Sequence, residues 1–192
     1  RDLGMAWQPS RELAIDLRGF LNTIGDAIVT NIVSAAPSQV RSENAGSARA
    51  LGFELDAHYS PSATLSMFAN LTRTHTRVKD PSNADHNGTE IPFAPSELAN
   101  AGLSLHFPGN IHAEAYYHWV GRYYDSTSRG SRQAFGHFGL INARIYTDLI
   151  QNARQEVRLT LDLNNLTDRQ YRMPFDFRDP GFNAFVGVDV RY

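Results

Sequence analysis

Apolar and polar residues alternate along most of this chain. From Leu13 the odd positions read Leu13, Ile15, Leu17, Gly19 and Leu21, against Ala14, Asp16, Arg18, Phe20 and Asn22. A period of two places one set on each face of a β-strand. The same pattern returns in 51–59, 64–72, 102–107, 112–119, 141–145, 156–164 and 186–192. With Leu3, Met5 and Trp7 at the start, this predicts about nine strands. No amphipathic helix is evident. The polar set is charged in many strands: Asp16, Arg18, Glu54, Asp56, Glu114, Arg144, Glu156, Arg158, Asp162, Asp189 and Arg191.

The connections alternate as well. Short turn-forming clusters fall at residues 8–11, 60–62, 108–110 and 150–152. Long polar connections are expected at about 29–40, 75–97, 124–137 and 168–183, and the middle of the second, Lys79 to Gly88, reads as mobile. One end of the molecule should therefore carry tight turns and the other long loops. Strands running toward the short-turn end finish in Trp7, Tyr59, Phe107, Tyr146 and Tyr192. Aromatic girdles of this kind mark the membrane interface of β-barrels. Tyr146 departs from the pattern, lying on the polar parity.

Two faces of opposite character also suit a soluble sandwich, lipocalin or propeller. The many charges on the polar set make that face too wet for a small core. The apolar face is therefore expected to meet lipid and the charged face a lumen, which gives an all-β antiparallel transmembrane barrel.

Composition narrows the function. The 192 residues carry 18 Lys+Arg against 20 Asp+Glu, a net charge of -2, which does not suit a nucleic-acid partner. Cysteine is absent, which removes disulfides, thiolate metal sites and cysteine catalysis. No apolar run approaches a membrane helix. Asp85-His86 is the closest pair able to serve catalysis, and it reads as a solvated loop tip, so no catalytic residue is assigned. The seven histidines are scattered, with His112 and His118 on one strand face but six apart; no metal site and no cofactor are assigned.

Several ordered elements resemble TonB-dependent outer-membrane receptors. These are Asn44 through Asp56, running on to Tyr59-Ser60-Pro61, then Ile91-Pro92-Phe93-Ala94-Pro95, Val120-Gly121-Arg122-Tyr123-Tyr124, and Asn164-Asn165-Leu166-Thr167-Asp168 with Tyr171. The terminal aromatic, Tyr192, resembles the signal read by the barrel-assembly machinery. The resemblance implies a 22-stranded barrel closed by an N-terminal plug. Residues 1–192 then read as about its last nine strands, with the plug, the TonB-binding box and a signal peptide outside this chain. It further implies residence in the bacterial outer membrane and import of a scarce nutrient, a ferric siderophore or another metal chelate foremost, driven by TonB through the plug. A passive porin-like or adhesin-like barrel is the competing reading.

Candidate ligand-binding residues lie in the loops after the sixth and eighth strands: Arg122, Tyr124, Arg169, Tyr171, Arg172 and Arg178. Guanidinium and phenol groups suit an anionic, oxygen-rich chelate. The neighbouring Asp168, Asp176 and Asp179 leave open a purely structural use, in which these arginines tie loops together.

Overall fold

Period-two alternation becomes a single antiparallel meander. The computed structural model describes residues 1–35, 38–152 and 155–192. Its strands are β1 (Asp2–Trp7), β2 (Leu13–Ala35), β3 (Ser38–Ser62), β4 (Leu65–Lys79), β5 (Glu97–Phe107), β6 (Ile111–Val120), β7 (Tyr123–Tyr124), β8 (Ala134–Phe135), β9 (Phe138–Gln151), β10 (Glu156–Asn164) and β11 (Asn183–Arg191). Nine of them form one sheet in the order β1-β2-β3-β4-β5-β6-β9-β10-β11, and β7 and β8 form a separate ribbon. The sheet is open, with β1 and β11 as its edges. No helix among the described residues is long and apolar enough to cross a membrane.

Cross-strand register carries the two faces through the sheet. Leu17 faces Met5 and Leu55, Leu55 faces Leu71, Leu71 faces Ala99, and Ala99 faces Trp119. One position along, Asp56 faces Asn70, Asn70 faces Asn100, and Asn100 faces His118. This polar row is bonded: the Asn100 amide donates to Asn70 Oδ1 at 2.8 Å, and His118 Nδ1 lies 2.6 Å from Asn100 Oδ1. Nearer the turns, Arg144 Nε donates to Asp162 Oδ1 at 2.5 Å. Tyr146 does lie on the polar face, stacked on His112 at 4.5 Å, with the Arg158 guanidinium 4.6 Å from its ring centre.

No second layer covers the apolar face. The buried apolar side chains among the described residues are Ala48, Val78, Phe135 and Phe138, all toward the loop end. Leu17, Leu51, Met67, Ile141, Ile145, Leu159 and Val188 stand exposed. A soluble sandwich would cover such a row with a facing sheet. A lipid-facing wall needs no cover, because its backbone groups are satisfied within the sheet.

Strand lengths agree with a membrane wall at one side and a projecting rampart at the other. β5, β6, β10 and β11 have 11, 10, 9 and 9 residues, close to the roughly 9–11 that a tilted strand needs to span a bilayer. β2 and β3 have 23 and 25. The long connection expected at 29–40 is therefore mostly strand: paired backbone continues to Ala35 and resumes at Ser38, and only residues 36 and 37 lie outside the described residues. β4 likewise continues through His75 to Lys79. Alternation alone could not show this, because Ser, Asn and Gln are as common in a projecting, solvated ribbon as in a loop.

Candidate functional site

Three connections share the end opposite the tight turns: residues 80–96, 121–137 and 165–182. The first is knit to itself rather than loose. Asp80, 2% exposed, receives Ser82 Oγ at 2.6 Å on Oδ1, and its amide donates to Asn87 Oδ1 at 3.1 Å. The Gly88 amide donates to the Val78 carbonyl and the Val78 amide to the Thr89 carbonyl, each at 2.7 Å, which ties the end of β4 to the far side of this connection. Within this segment His86 Nδ1 lies 3.7 Å from Asp80 Oδ2, both side chains largely buried. Of the Asp85-His86 pair expected at a solvated tip, the His86 side chain is instead largely buried. Short polar side chains bond the local backbone here.

The third connection starts on Asn165, 4% exposed. Its amide donates to Asn142 Oδ1 at 2.9 Å, its Oδ1 accepts from the Arg169 amide at 2.8 Å, and its Nδ2 donates to the Arg169 carbonyl at 3.0 Å. Asp168 Oδ1 then accepts from the Phe182 amide at 2.9 Å, closing the loop at its far end. The Asn164–Asp168 element therefore works as a clasp for the last loop.

The connections also bind one another. Arg129 Nη2 donates to the Asn87 carbonyl at 2.6 Å, and Asp85 Oδ1 accepts from the Gly130 amide at 3.2 Å. Arg132 pairs with Glu90. Phe93 donates its amide to the Tyr124 carbonyl at 2.8 Å, and its ring stacks on Phe175 at 5.7 Å. Arg172 Nη2 reaches Gln133 Oε1 at 3.3 Å.

The six candidate residues fall into two groups on this frame. Tyr124, Tyr171 and Arg172 gather around the β7–β8 ribbon. Tyr124 lies in β7 beneath the Arg132 guanidinium, 3.9 Å from its ring centre. Arg172 stands 5.9 Å from the ring centre of Phe135 in β8. Tyr171 stacks on Phe138 at 4.0 Å. Arg122 is exposed and shares with Tyr124 the lining of a cavity of about 340 Å³, where Glu90, Glu97, His75 and His137 also lie. Arg169 and Arg178 are exposed, and the contacts of the described residues do not bring either side chain to the ribbon.

Gln133 and Glu90, which sequence reasoning passed over, and Tyr123 and Arg132, which it placed at the loop end but not among the six candidates, complete the cluster. Tyr123 stacks on Phe135 at 5.9 Å, and burial raises its phenol pKa. Burial, the Asp179 charge and then Tyr123 raise that of Tyr171. Burial pushes the Glu90 carboxyl upward, but the hydrogen bond and charge of Arg132 hold it below the ordinary range. The arrangement offers phenols and guanidinium groups around a short two-stranded ribbon, suited to hydrogen-bonding and stacking on a planar or anionic molecule. Among the described residues no group of His, Asp and Glu is placed to hold a metal ion directly.

Residues 1–166 match the family described as TonB dependent receptor-like, beta-barrel. The chain belongs to the TonB-dependent receptors, in their β-barrel. Solved structures of the same fold include the copper transporter OprC, at 19% identity and a TM-score of 0.76 over 99% of this chain. Another is the ferric yersiniabactin uptake receptor FyuA from Yersinia pestis, at 18%, 0.69 and 98%. A third is the siderophore receptor PiuA from Acinetobacter baumannii, at 16%, 0.75 and 99%. The TonB-dependent receptor barrel here spans 31%, 28% and 28% of those chains. No curated protein matches the sequence. These likenesses agree with the all-β antiparallel barrel wall and the family expected from the sequence, and at such identities they establish fold. Family and neighbours are receptors and transporters.

Proposed function

We propose that this chain is part of an outer-membrane receptor that captures a metal chelate, a ferric siderophore foremost, and imports it at the expense of energy delivered by TonB. The observation that carries this reading is the cluster of Tyr123, Tyr124, Tyr171 and Arg172 on a loop frame cross-braced by Arg129, Arg132 and Phe93. An open pore gains nothing from phenols held in place at its mouth, whereas a receptor gains affinity from pre-organisation. The structural neighbours are named for uptake of copper and of ferric yersiniabactin, and as a siderophore receptor, which fits the same class of cargo. In this reading the bacterial outer membrane surrounds the apolar face, TonB acts through a plug supplied by another part of the protein, and the assembly machinery engages Tyr192, which is fully exposed.

Arg122, Tyr124, Arg169, Tyr171, Arg172 and Arg178 are proposed as ligand contacts, with Tyr124 and Arg172 central. The test is growth of the source bacterium, with and without the gene, on chelated iron sources, haem and cobalamin. Loss confined to a ferric chelate is expected, and loss confined to cobalamin would reject the reading. Binding of that chelate should then fall for Arg172→Ala and Arg178→Ala but not for Arg18→Ala, whose side chain already pairs with Asp2 and Glu54 on the wall. Equal effects at all three would reassign the loop arginines to structure.

A further inference from the structure

We infer that Phe93 and Phe175 form a platform that selects chelates built on aromatic rings over ring-free ones. The inference rests on the receptor reading above and adds to it the chemical class of the cargo. Apolar side chains gain free energy by leaving water, and a polar loop gains nothing by displaying phenylalanine. Yet Phe175 is 79% exposed, and Phe177, two residues on, is 66% exposed. The ring of Phe93, itself about half exposed, lies 5.7 Å from that of Phe175 with 26° between the planes. This stack joins the first loop to the last but leaves most of Phe175 open to a further partner.

The backbone holds both rings in place at a cost. Phe93 has φ 57° and Phe175 φ 61°. Left-handed backbone is unfavourable for a bulky residue and persists only where surrounding contacts impose it, as at ligand clamps. Those contacts are on either side. The Phe93 amide donates to the Tyr124 carbonyl at 2.8 Å, and Asp168 Oδ1 accepts from the Phe182 amide at 2.9 Å, closing the loop that carries Phe175. The platform also adjoins the cluster of phenols and guanidinium groups. Phe93 is bonded to β7, and Phe175 follows three residues after Arg172, whose guanidinium donates to the neutral Gln133 amide at 3.3 Å and so keeps its charge. That charge draws any anionic chelate, whether its oxygens come from carboxylates or from catechols. Ring faces tell the two apart, because stacking rewards a π-system and gives nothing to an aliphatic carboxylate. Phe93 and Phe175 thus supply a selectivity that the arginines cannot.

The experiment measures equilibrium binding of two iron-labelled complexes to the complete receptor in detergent. One is ferric 2,3-dihydroxybenzoate, anionic and ring-bearing; the other is ferric citrate, anionic and ring-free. The parent is expected to bind the ring-bearing complex roughly tenfold more tightly. Phe175→Ala should weaken that binding by roughly threefold to tenfold and leave ferric citrate unchanged, while Phe175→Tyr keeps the margin. Equal binding of the two complexes by the parent overturns the inference and leaves the receptor reading standing. Binding of neither removes the receptor reading and the inference with it. A Phe175→Ala variant that weakens both complexes alike, with faster proteolytic nicking between 165 and 182, also overturns the inference and assigns the pair to loop structure. If Phe175→Ala does not fold, Phe93→Ala decides: a ratio between the two complexes equal to that of the parent overturns it.

Discussion

Tyr171 lies flat on Phe138, with ring centroids 4.0 Å apart and 20° between the planes. Phe138 opens β9 and is buried, so this contact lays the last loop against the sheet. Tyr171→Ala is expected to cost about 1–3 kcal/mol of loop stability, read as faster proteolytic nicking between 165 and 182. Tyr171→Phe keeps the stack and should leave nicking unchanged. If Tyr171→Phe nonetheless weakens chelate binding, the phenol is a ligand contact as well as an anchor.

The same phenol sets an alkaline limit. Burial and Asp179 raise its pKa above the ordinary 10.0, so the folded loop favours the neutral form. The stabilisation is intact below the unfolded value and is lost as pH climbs through the raised one. Loop protection should fall in strongly alkaline buffer in the parent and less steeply in Tyr171→Phe. A parallel decline in the two proteins would assign the effect elsewhere.

Glu90 behaves in the opposite sense. Despite its partial burial, Arg132 holds the carboxyl below 4.5. Its contribution is present above the unfolded pKa and disappears as pH falls through the lowered folded value. The bridge between the first two loops should therefore open in acid, and Arg132→Gln should move that opening to higher pH. NMR titration of the Glu90 side chain, or proteolysis across pH, measures both.

Parity can be tested at adjacent positions of β10. Leu161 faces Ile145 and Val186 on the apolar side, and Thr160 faces Tyr146 and Gly187 on the polar side. Leu161→Arg near the bilayer midplane should cost about 2–4 kcal/mol in lipid, and Thr160→Arg much less. Unfolding titrations of the reconstituted protein that give equal shifts would reverse the assignment of faces.

Gly52 is expected to tolerate no side chain. A Cβ there would stand 2.2 Å from the Arg73 carbonyl oxygen and 2.6 Å from Cζ of Phe20, its register partner across β2 and β3. Gly52→Ala should destabilise by about 1–3 kcal/mol. Adding Phe20→Ala relieves the ring clash but not the backbone one, so the double variant should recover only part of the loss. Additive costs would mean that the ring does not press on this glycine.

What the sequence determined by itself was the wall. Strand alternation is local, and the choice of face follows from which parity holds Asp16, Glu54 and Arg144, so nine strands, their order and their two faces could be read directly. The turn clusters fixed which end is tight, and the ordered family elements named the architecture. Tertiary structure alone decided the loop end. Arg132 and Glu90 are 42 residues apart, as are Arg129 and Asn87, and nothing local encodes such pairings. The same holds for Phe93 on Phe175 and Tyr171 on Phe138. Polar loop residues have no periodicity to reveal their partners, because each bond is satisfied by whichever backbone the other loops bring within reach. Hence Tyr124 and Arg172 were legible as candidates and Tyr123 and Arg132 as loop-end groups, while Glu90 and Gln133 became visible only when the loops closed over one another.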